Sequence, residues 1–395
     1  MADESRRGPI KLTADQVFDG EAFLGRADVI LDDGKIVAAG PDLRSDLVST
    51  DLGSATILPG LVDCHQHLVF DGNGTLEDQV VERSDDELLE RAREAARRAL
   101  LGGVTTLRDL GDRGFVTLGL RGDPELPTLV CAGPPITTVH GHCWYLGGEC
   151  DGTGSLRRAV AERIDRGCDV VKVMVTGGAM TPTMPMWSSQ FALDELRMVV
   201  EDAHAAGLPV AAHCHGLGGI ADAIEAGVDT IEHCSFMNED LQPDPSEELL
   251  AAIGTSNTAI SATFGRLPDA PPLDPEMAAK RPKVKAAMHR VHQLGGSVVL
   301  GSDAGIALAK PHDVAAHAIH EFMEMGFDTT QSLRSMTSRG ADALGQDRKG
   351  RFRAGDDADV LVVMGDIETT PAALADVMQV WKMGQLVIAT GEDGQ

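Results

Sequence analysis

Leu58-Pro59-Gly60-Leu61-Val62-Asp63-Cys64-His65-Gln66-His67 decides how the rest of this chain is read. An apolar, strand-like run from Ile57 to Val62 ends in a carboxylate and two histidines. Histidines two apart at a strand end project to one face, so both rings can bind a single ion. Alone the pair is a weak signal, because two polar loop residues give the same letters. Four more segments strengthen it: Asp169-Val170-Val171-Lys172-Val173, Ala212-His213, Glu232-His233 and Gly301-Ser302-Asp303. Four imidazoles, a carboxylate and a lysine are the set needed to hold two divalent metals and activate a water between them. Hydrolysis is therefore the first expectation.

Each member also has a plainer reading. His213 and His233 each end a β run, where a hydrogen-bonded structural histidine is equally at home. Asp303 follows the apolar run Ser297 to Leu300 and a glycine, a position where a carboxylate can ligate metal and move a proton. The run Gly301-Ser302-Asp303-Ala304-Gly305 also suits a turn or helix-capping Asp. Lys172 is the most informative residue, the only charge in Val170-Val171-Lys172-Val173-Met174-Val175. Burying an unpaired ammonium is costly, so a partner or a modification is expected. Carboxylation by carbon dioxide would turn the amine into an anionic bridging ligand.

Around these segments, apolar strand-like runs alternate with amphipathic helical stretches, the pattern of an α/β fold built on a parallel sheet. The runs are Ile57 to Val62, Thr105 to Arg108, Thr128 to Ala132, Val170 to Val175, Pro209 to Ala212, Thr230 to Glu232, Ile260 to Ala262 and Val298 to Leu300. Eight of them suggest a (β/α)8 TIM-like barrel, whose chemistry sits at strand ends. Helices are expected over Asp86 to Leu101, Leu193 to Ala206, Gly219 to Ala226 and Lys283 to Leu294. At the chain ends, Ile10 to Phe18, Asp28 to Ala38, Ala358 to Val363 and Gln379 to Val387 read as short strands, with Asp33-Gly34 as a hairpin turn. The two ends are expected to pair into one small β domain. The division is 1–57 and 351–395 for a β-sandwich in two parts, and 58–350 for the barrel. Three long connections, Gly133 to Leu156, Gly177 to Ala192 and Thr263 to Glu276, are expected to shape a substrate pocket.

Composition narrows the partners. The 395 residues carry a formal net charge of -27, which repels phosphate backbones and anionic lipid. No nucleic acid or membrane partner is expected, and no apolar run approaches the roughly 20 residues of a membrane span. The start, Met1-Ala2-Asp3-Glu4-Ser5-Arg6-Arg7, lacks the apolar stretch of a signal peptide, so a cytoplasmic location is expected. The seven cysteines lack regular spacing and read as reduced thiols. If the neighbouring histidines face a metal, Cys64, Cys214 and Cys234 should point into the wall. A homo-oligomer stays open.

The chain resembles the amidohydrolase superfamily, and within it the imidazolonepropionase-like and Xaa-Pro dipeptidase-like branch. The resemblance rests on Leu58 to His67, Val171-Lys172-Val173, Ala211-Ala212-His213-Cys214-His215-Gly216, Thr230-Ile231-Glu232-His233 and Leu300-Gly301-Ser302-Asp303-Ala304-Gly305. It implies that His65, His67 and Asp303 hold one metal and His213 and His233 the other, with carboxylated Lys172 bridging them. Zinc suits these nitrogen and oxygen ligands first, with manganese, iron or cobalt as alternatives. Asp303 would pass the water proton to the leaving nitrogen. His142, in a glycine-histidine element of this branch, would contact substrate or stabilise the oxyanion, and His140 competes for that role. His215, Tyr145, Met180, Trp187 and Arg266 are further candidates for substrate contact, Arg266 as a reader of a carboxylate. Each has a packing or solvated reading beside it.

The expected activity is two-metal hydrolysis of an amide-type C–N bond in a dipeptide, an N-acyl amino acid or a cyclic amide. The alternatives are a mononuclear deaminase or imidazolonepropionase-like ring hydrolase, and an inactive scaffold.

Overall fold

The computed structural model describes residues 8–389. The expectation drawn from Met1 to Arg7, and the last residues of the second terminal segment, lie outside that range. Eight parallel strands run through the middle of the chain: β1 (Leu61–Gln66), β2 (Val104–Asp109), β3 (Thr128–Cys131), β4 (Val171–Met174), β5 (Val210–Gly216), β6 (Thr230–Met237), β7 (Ala259–Ala262) and β8 (Ser297–Leu300). They pair in sequence order as a three-stranded sheet, β1-β2-β3, and a five-stranded sheet, β4 to β8. Backbone hydrogen bonds join the outer edges of both sheets. Asp169 N–H donates to Cys131 O at 2.9 Å between β3 and β4, and Asp303 N–H donates to His65 O at 2.7 Å between β8 and β1.

The run Ile57 to Val62, read as one strand, is two strands in different sheets. Ala55–Pro59 belongs to a terminal sheet, and Leu61–Gln66 is β1, with Gly60 at the break. A Cβ on Gly60 would lie 2.2 Å from Thr105 Oγ1, so only glycine lets the chain pass β2 there. β5 and β6 run further than expected, which puts His213 and His233 inside strands rather than at their ends.

Helices over Asp85–Leu101, Leu193–Ala205 and Leu217–Ala226 match the expected ranges to within two residues at either end. The first starts at a capping box in which Ser84 and Glu87 satisfy each other's backbone N–H. The helix expected at Lys283 begins instead at Pro275 and runs to Gln293. Asp274 caps it, accepting from Glu276 N–H and Met277 N–H, and Pro275 occupies the first turn, where a missing N–H costs nothing. Pro282 inside that helix disguised it, since an interior proline normally argues against one.

Strands from the two ends of the chain pair with one another, Val360–Met364 antiparallel to Ala55–Pro59. Asp33 and Gly34 take left-handed backbone angles, φ 47° and 75°, and close the hairpin between Ala27–Asp32 and Lys35–Gly40. These strands, Ile10–Ala14 and Ser49–Asp51 form a four-stranded sheet. A second sheet orders Gln385–Ala389, Val377–Lys382, Val360–Met364, Ala55–Pro59 and Gln16–Val17. Leu12, Val29, Ile57, Val360, Val362 and Trp381 share one buried cluster drawn from both chain ends.

The Val360–Met364 strand is apolar on both faces because both are covered. Val360 and Val362 enter that terminal cluster, whereas Leu361 and Val363 belong to the main core with Leu58 and Val104. Among the described residues no helix is long and apolar enough to cross a membrane. Leu361→Ala should destabilise the protein by about 2–5 kcal/mol, as burial is lost and a cavity opens between the two bodies. A thermal unfolding scan beside wild type checks it; an unchanged transition would mean the terminal sheet docks without this contact.

Candidate metal centre and active site

Two histidine clusters face one cavity of about 340 Å³, lined by His65, His67, Lys172, His213, His233 and Asp303 among others. In the first cluster, His65 Nε2 and His67 Nε2 lie 3.1 Å apart, and Asp303 Oδ1 is 3.4 and 3.5 Å from them. Two ligands bound at about 2.1 Å to one ion, about 90–110° apart, are separated by about 3.0–3.4 Å. The triangle thus has the dimensions of one face of a metal coordination shell. Burial first, and then the charge of Lys172, push the His67 imidazole down to about 3, so it is neutral and its lone pair is free to ligate.

The second cluster holds His213, His215 and His233, whose potential ligand atoms lie within 4.8 Å of one another. His213 and His233 were expected here; His215, expected as a substrate contact, completes the trio. Its Nδ1 is 2.8 Å from Ser235 Oγ, and its ring stacks on His233 at 4.6 Å. His233, Cys234 and Phe236 take left-handed angles, φ 66°, 48° and 57°. Strict strand alternation therefore fails at this end of β6. Cys64, Cys214 and Cys234 are nonetheless fully buried, as expected of wall residues.

Lys172, on β4, is 1% exposed, and its Nζ has no hydrogen-bond partner among the described residues. Burial lowers its amine to about 8, with Glu232 working in the opposite direction. Its charge acts on histidines of both clusters.

Behind the first cluster lies a buried ion-pair chain absent from the sequence expectations. Glu232 Oε2 accepts from His65 Nδ1 at 2.9 Å, and Glu232 Oε1 accepts from Arg108 Nη2 at 2.8 Å. Arg108 Nε also donates to Cys64 O at 2.7 Å. The contact orients the His65 ring and leaves Nε2 facing His67. The signal that singled out Lys172, a charge inside an apolar strand, would have found Arg108 in Val104-Thr105-Thr106-Leu107-Arg108 as well. Asp303 has a left-handed φ of 57°, held by its N–H bond to His65 O. Gly301 permits this approach, since a Cβ there would meet Ser261 Oγ at 2.2 Å and His65 Cβ at 2.7 Å. Burial raises the Asp303 carboxyl to about 7, with Lys310 and then Lys172 pulling it down.

The remaining candidates divide. His142 lines the cavity with its ring 4.5 Å from that of His213 and its Nδ1 3.1 Å from Thr181 Oγ1. His140 has its side chain 80% exposed and does not line the cavity. Met180 lines the mouth, and Met186 lies with it. Tyr145 is buried with its hydroxyl on Cys143 Sγ, and neither Trp187 nor Arg266 is on the lining. Of the residues proposed to touch substrate, His142, His215 and Met180 thus come to the cavity and the other four do not.

The profile of the amidohydrolase family matches residues 56–387. An ochratoxinase from Aspergillus niger is 26% identical over 431 aligned residues, spanning 94% of this chain and 85% of that protein. An imidazolonepropionase from Salinispora tropica is 26% identical over 87% of this chain and 88% of its own. The crystal structure of a Xaa-Pro dipeptidase with methionine bound in its active site superposes with a TM-score of 0.83 at 25% identity, covering 96% of this chain and 99% of that one.

A buried acid pair stands behind His67. Asp109 and Asp112 are both fully buried, Thr117 donates to each, and Asp112 Oδ1 has no partner among the described residues. Burial pushes both carboxyls up, Asp109 further through the charge of Asp112. A carboxyl whose folded pKa is raised contributes stability below its unfolded value near 3.8, lost as pH rises towards the folded value. Asp112→Asn keeps an acceptor for Thr117 and removes the charge, so it should raise Tm more at pH 8 than at pH 5. An equal shift at both pH values would count against shared burial of these acids.

Proposed function

This chain belongs to the amidohydrolase family, and from that premise we propose that it is a two-metal hydrolase of amide-type C–N bonds. The observation that carries the reading is Lys172, a buried amine without a partner among the described residues, whose charge reaches both histidine clusters. An ammonium there would repel cations; a carbamate would bridge them and satisfy the orphaned atom. On this reading His65, His67 and Asp303 hold one ion and His213 and His233 the other, with His215 available beside them and carboxylated Lys172 between. Zinc is the first choice for this donor set. Bound there, the ions would supply Lewis-acid polarisation of a carbonyl and a water acidified to near neutrality.

The chain's own groups do the rest. Asp303, with a carboxyl near 7, takes the water proton and returns it to the leaving nitrogen. Glu232, anchored by Arg108, keeps the His65 ring in place. His142, lowered to about 4 by burial, is neutral and available to donate to the carbonyl oxygen. The largely apolar cavity suits a small molecule: a dipeptide, an N-acyl amino acid or a cyclic amide.

The same reading takes the eight parallel strands as a closed (β/α)8 barrel, supported by the hydrogen bonds at both sheet edges. It takes the two terminal sheets as a β-sandwich around the barrel, divided as 1–57, 58–350 and 351–395, with the strand ending at Pro59 carrying the first boundary two residues further. A cytoplasmic setting belongs to it too, supported by seven unpaired, buried cysteines. A mononuclear ring hydrolase is the second reading, favoured by the imidazolonepropionase relative.

Metal content separates the two. The native protein should hold near two ions per chain, and Lys172→Ala one or none. One ion in both proteins would remove the bridge and bring the ring-hydrolase reading forward. Asp303→Asn in the metal-loaded enzyme should lower kcat by about 10²–10⁴-fold on an amide substrate. An undiminished kcat would rule out its proton-transfer role.

A further inference from the structure

The helix Pro275–Gln293 turns Met277, Lys280, Arg281, Val284, Lys285 and Met288 towards the cavity. Their alternating spacing of three and one is a single helical face. The charge of this wall opposes that of the molecule. The chain carries 61 acidic and 34 basic residues, yet the charged residues lining the cavity are Lys172, Lys280, Arg281, Lys285 and Lys310 against Asp303 alone, among the described residues.

The carboxylates that answer these cations stand mostly outside. Glu276, paired with Lys280, is 71% exposed, and Glu324, paired with Lys285, is 67% exposed. Such pairs are screened by water and hold their cations weakly. The buried partner is Glu321, shared between Arg281 and Lys285, which also accepts from Gly265 N–H. Two of the cations are committed elsewhere. Lys310 Nζ donates to Thr263 O at 2.9 Å and Ser302 O at 2.6 Å, and Lys285 lies 5.5 Å from the Phe264 ring centroid. Lys280 keeps the ammonium protons not spent on Glu276, and Arg281 the guanidinium donors other than the Nη2 on Glu321, amid an apolar surface of Met237, Leu241, Phe264, Leu273 and Ile306.

We propose that Lys280 and Arg281 form the anion-binding end of the cavity and receive a carboxylate carried by an otherwise apolar amide substrate. The inference rests on the amide-hydrolase reading and narrows it. A carboxylate entering this cavity loses its water and needs charge-assisted donors in return. The Arg281 guanidinium offers a planar fork and Lys280 a point charge beside it. The carboxylate-reading role expected of Arg266 thus passes to residues of the following helix. Arg266 stands off the lining and acts on Arg281 and Lys310 through its charge.

The test uses zinc-loaded full-length protein with N-hexanoyl-L-leucine and its C-terminal amide, which differ in the carboxylate alone. Wild type should prefer the acid in kcat/KM by about tenfold to a hundredfold, the worth of one or two charge-assisted hydrogen bonds. Arg281→Gln and Lys280→Gln should each bring that ratio towards one, and Arg281→Lys should retain part of it. Lys283→Gln, on the exposed back of the helix, should keep the full ratio. A preference that survives both Gln substitutions means the carboxylate is captured elsewhere and overturns the proposal. Should neither compound be hydrolysed, calorimetric titration of both decides. Tighter binding of the acid that depends on Arg281 keeps the anion site while the amide-hydrolysis reading fails for these compounds; equal or absent binding overturns the anion site.

Discussion

The Glu232 carboxylate, buried between Arg108 and His65, is the constraint on which the centre of this molecule depends. Three strands meet through it, β2 supplying the guanidinium, β6 the carboxylate and β1 the imidazole. Replacing a buried pair of this kind by apolar groups is often tolerated, but removing one partner is strongly destabilising because the other charge stays buried. The pair therefore favours one register of β1 against β2 and ties both to β6 in the other sheet. It also holds the His65 ring with Nε2 turned towards His67 and Asp303, so one contact serves fold and site together.

Around that contact the structure concentrates desolvated ionisable groups. The histidines are held neutral by burial, the Asp303 carboxyl is raised to about 7 and the Lys172 amine is lowered to about 8. Each shift has burial as its largest cause, and each disfavours the charged form. Polar groups buried together are costly without partners; ions and a carbamate would offset that cost by satisfying the free lone pairs and the orphaned Nζ together.

Much of this was legible along the chain, for identifiable reasons. Eight apolar runs announced eight parallel strands, since a strand covered on both faces writes a continuous hydrophobic word. Lys172 stood out because it broke one of those words. Arg108 is harder to see, because it closes its run next to Asp109 and the run itself holds two threonines. Pro282 hides the start of the helix at Pro275, and the apolar run Ile57 to Val62 does not reveal that the chain changes sheets at Gly60.

By itself the sequence determined which donor types the site contains and which strands carry them, because periodicity and isolated polar residues are local properties of the chain. Tertiary structure alone decided which of them converge. Ser302 N–H binds Asp63 Oδ1 across 239 positions, His215 rather than His140 or Tyr145 joins the histidines, and a helical face of lysine and arginine turns inward. These outcomes depend on strand register and helix rotation about a common core. Both are set by packing between distant segments, which no short window of sequence encodes.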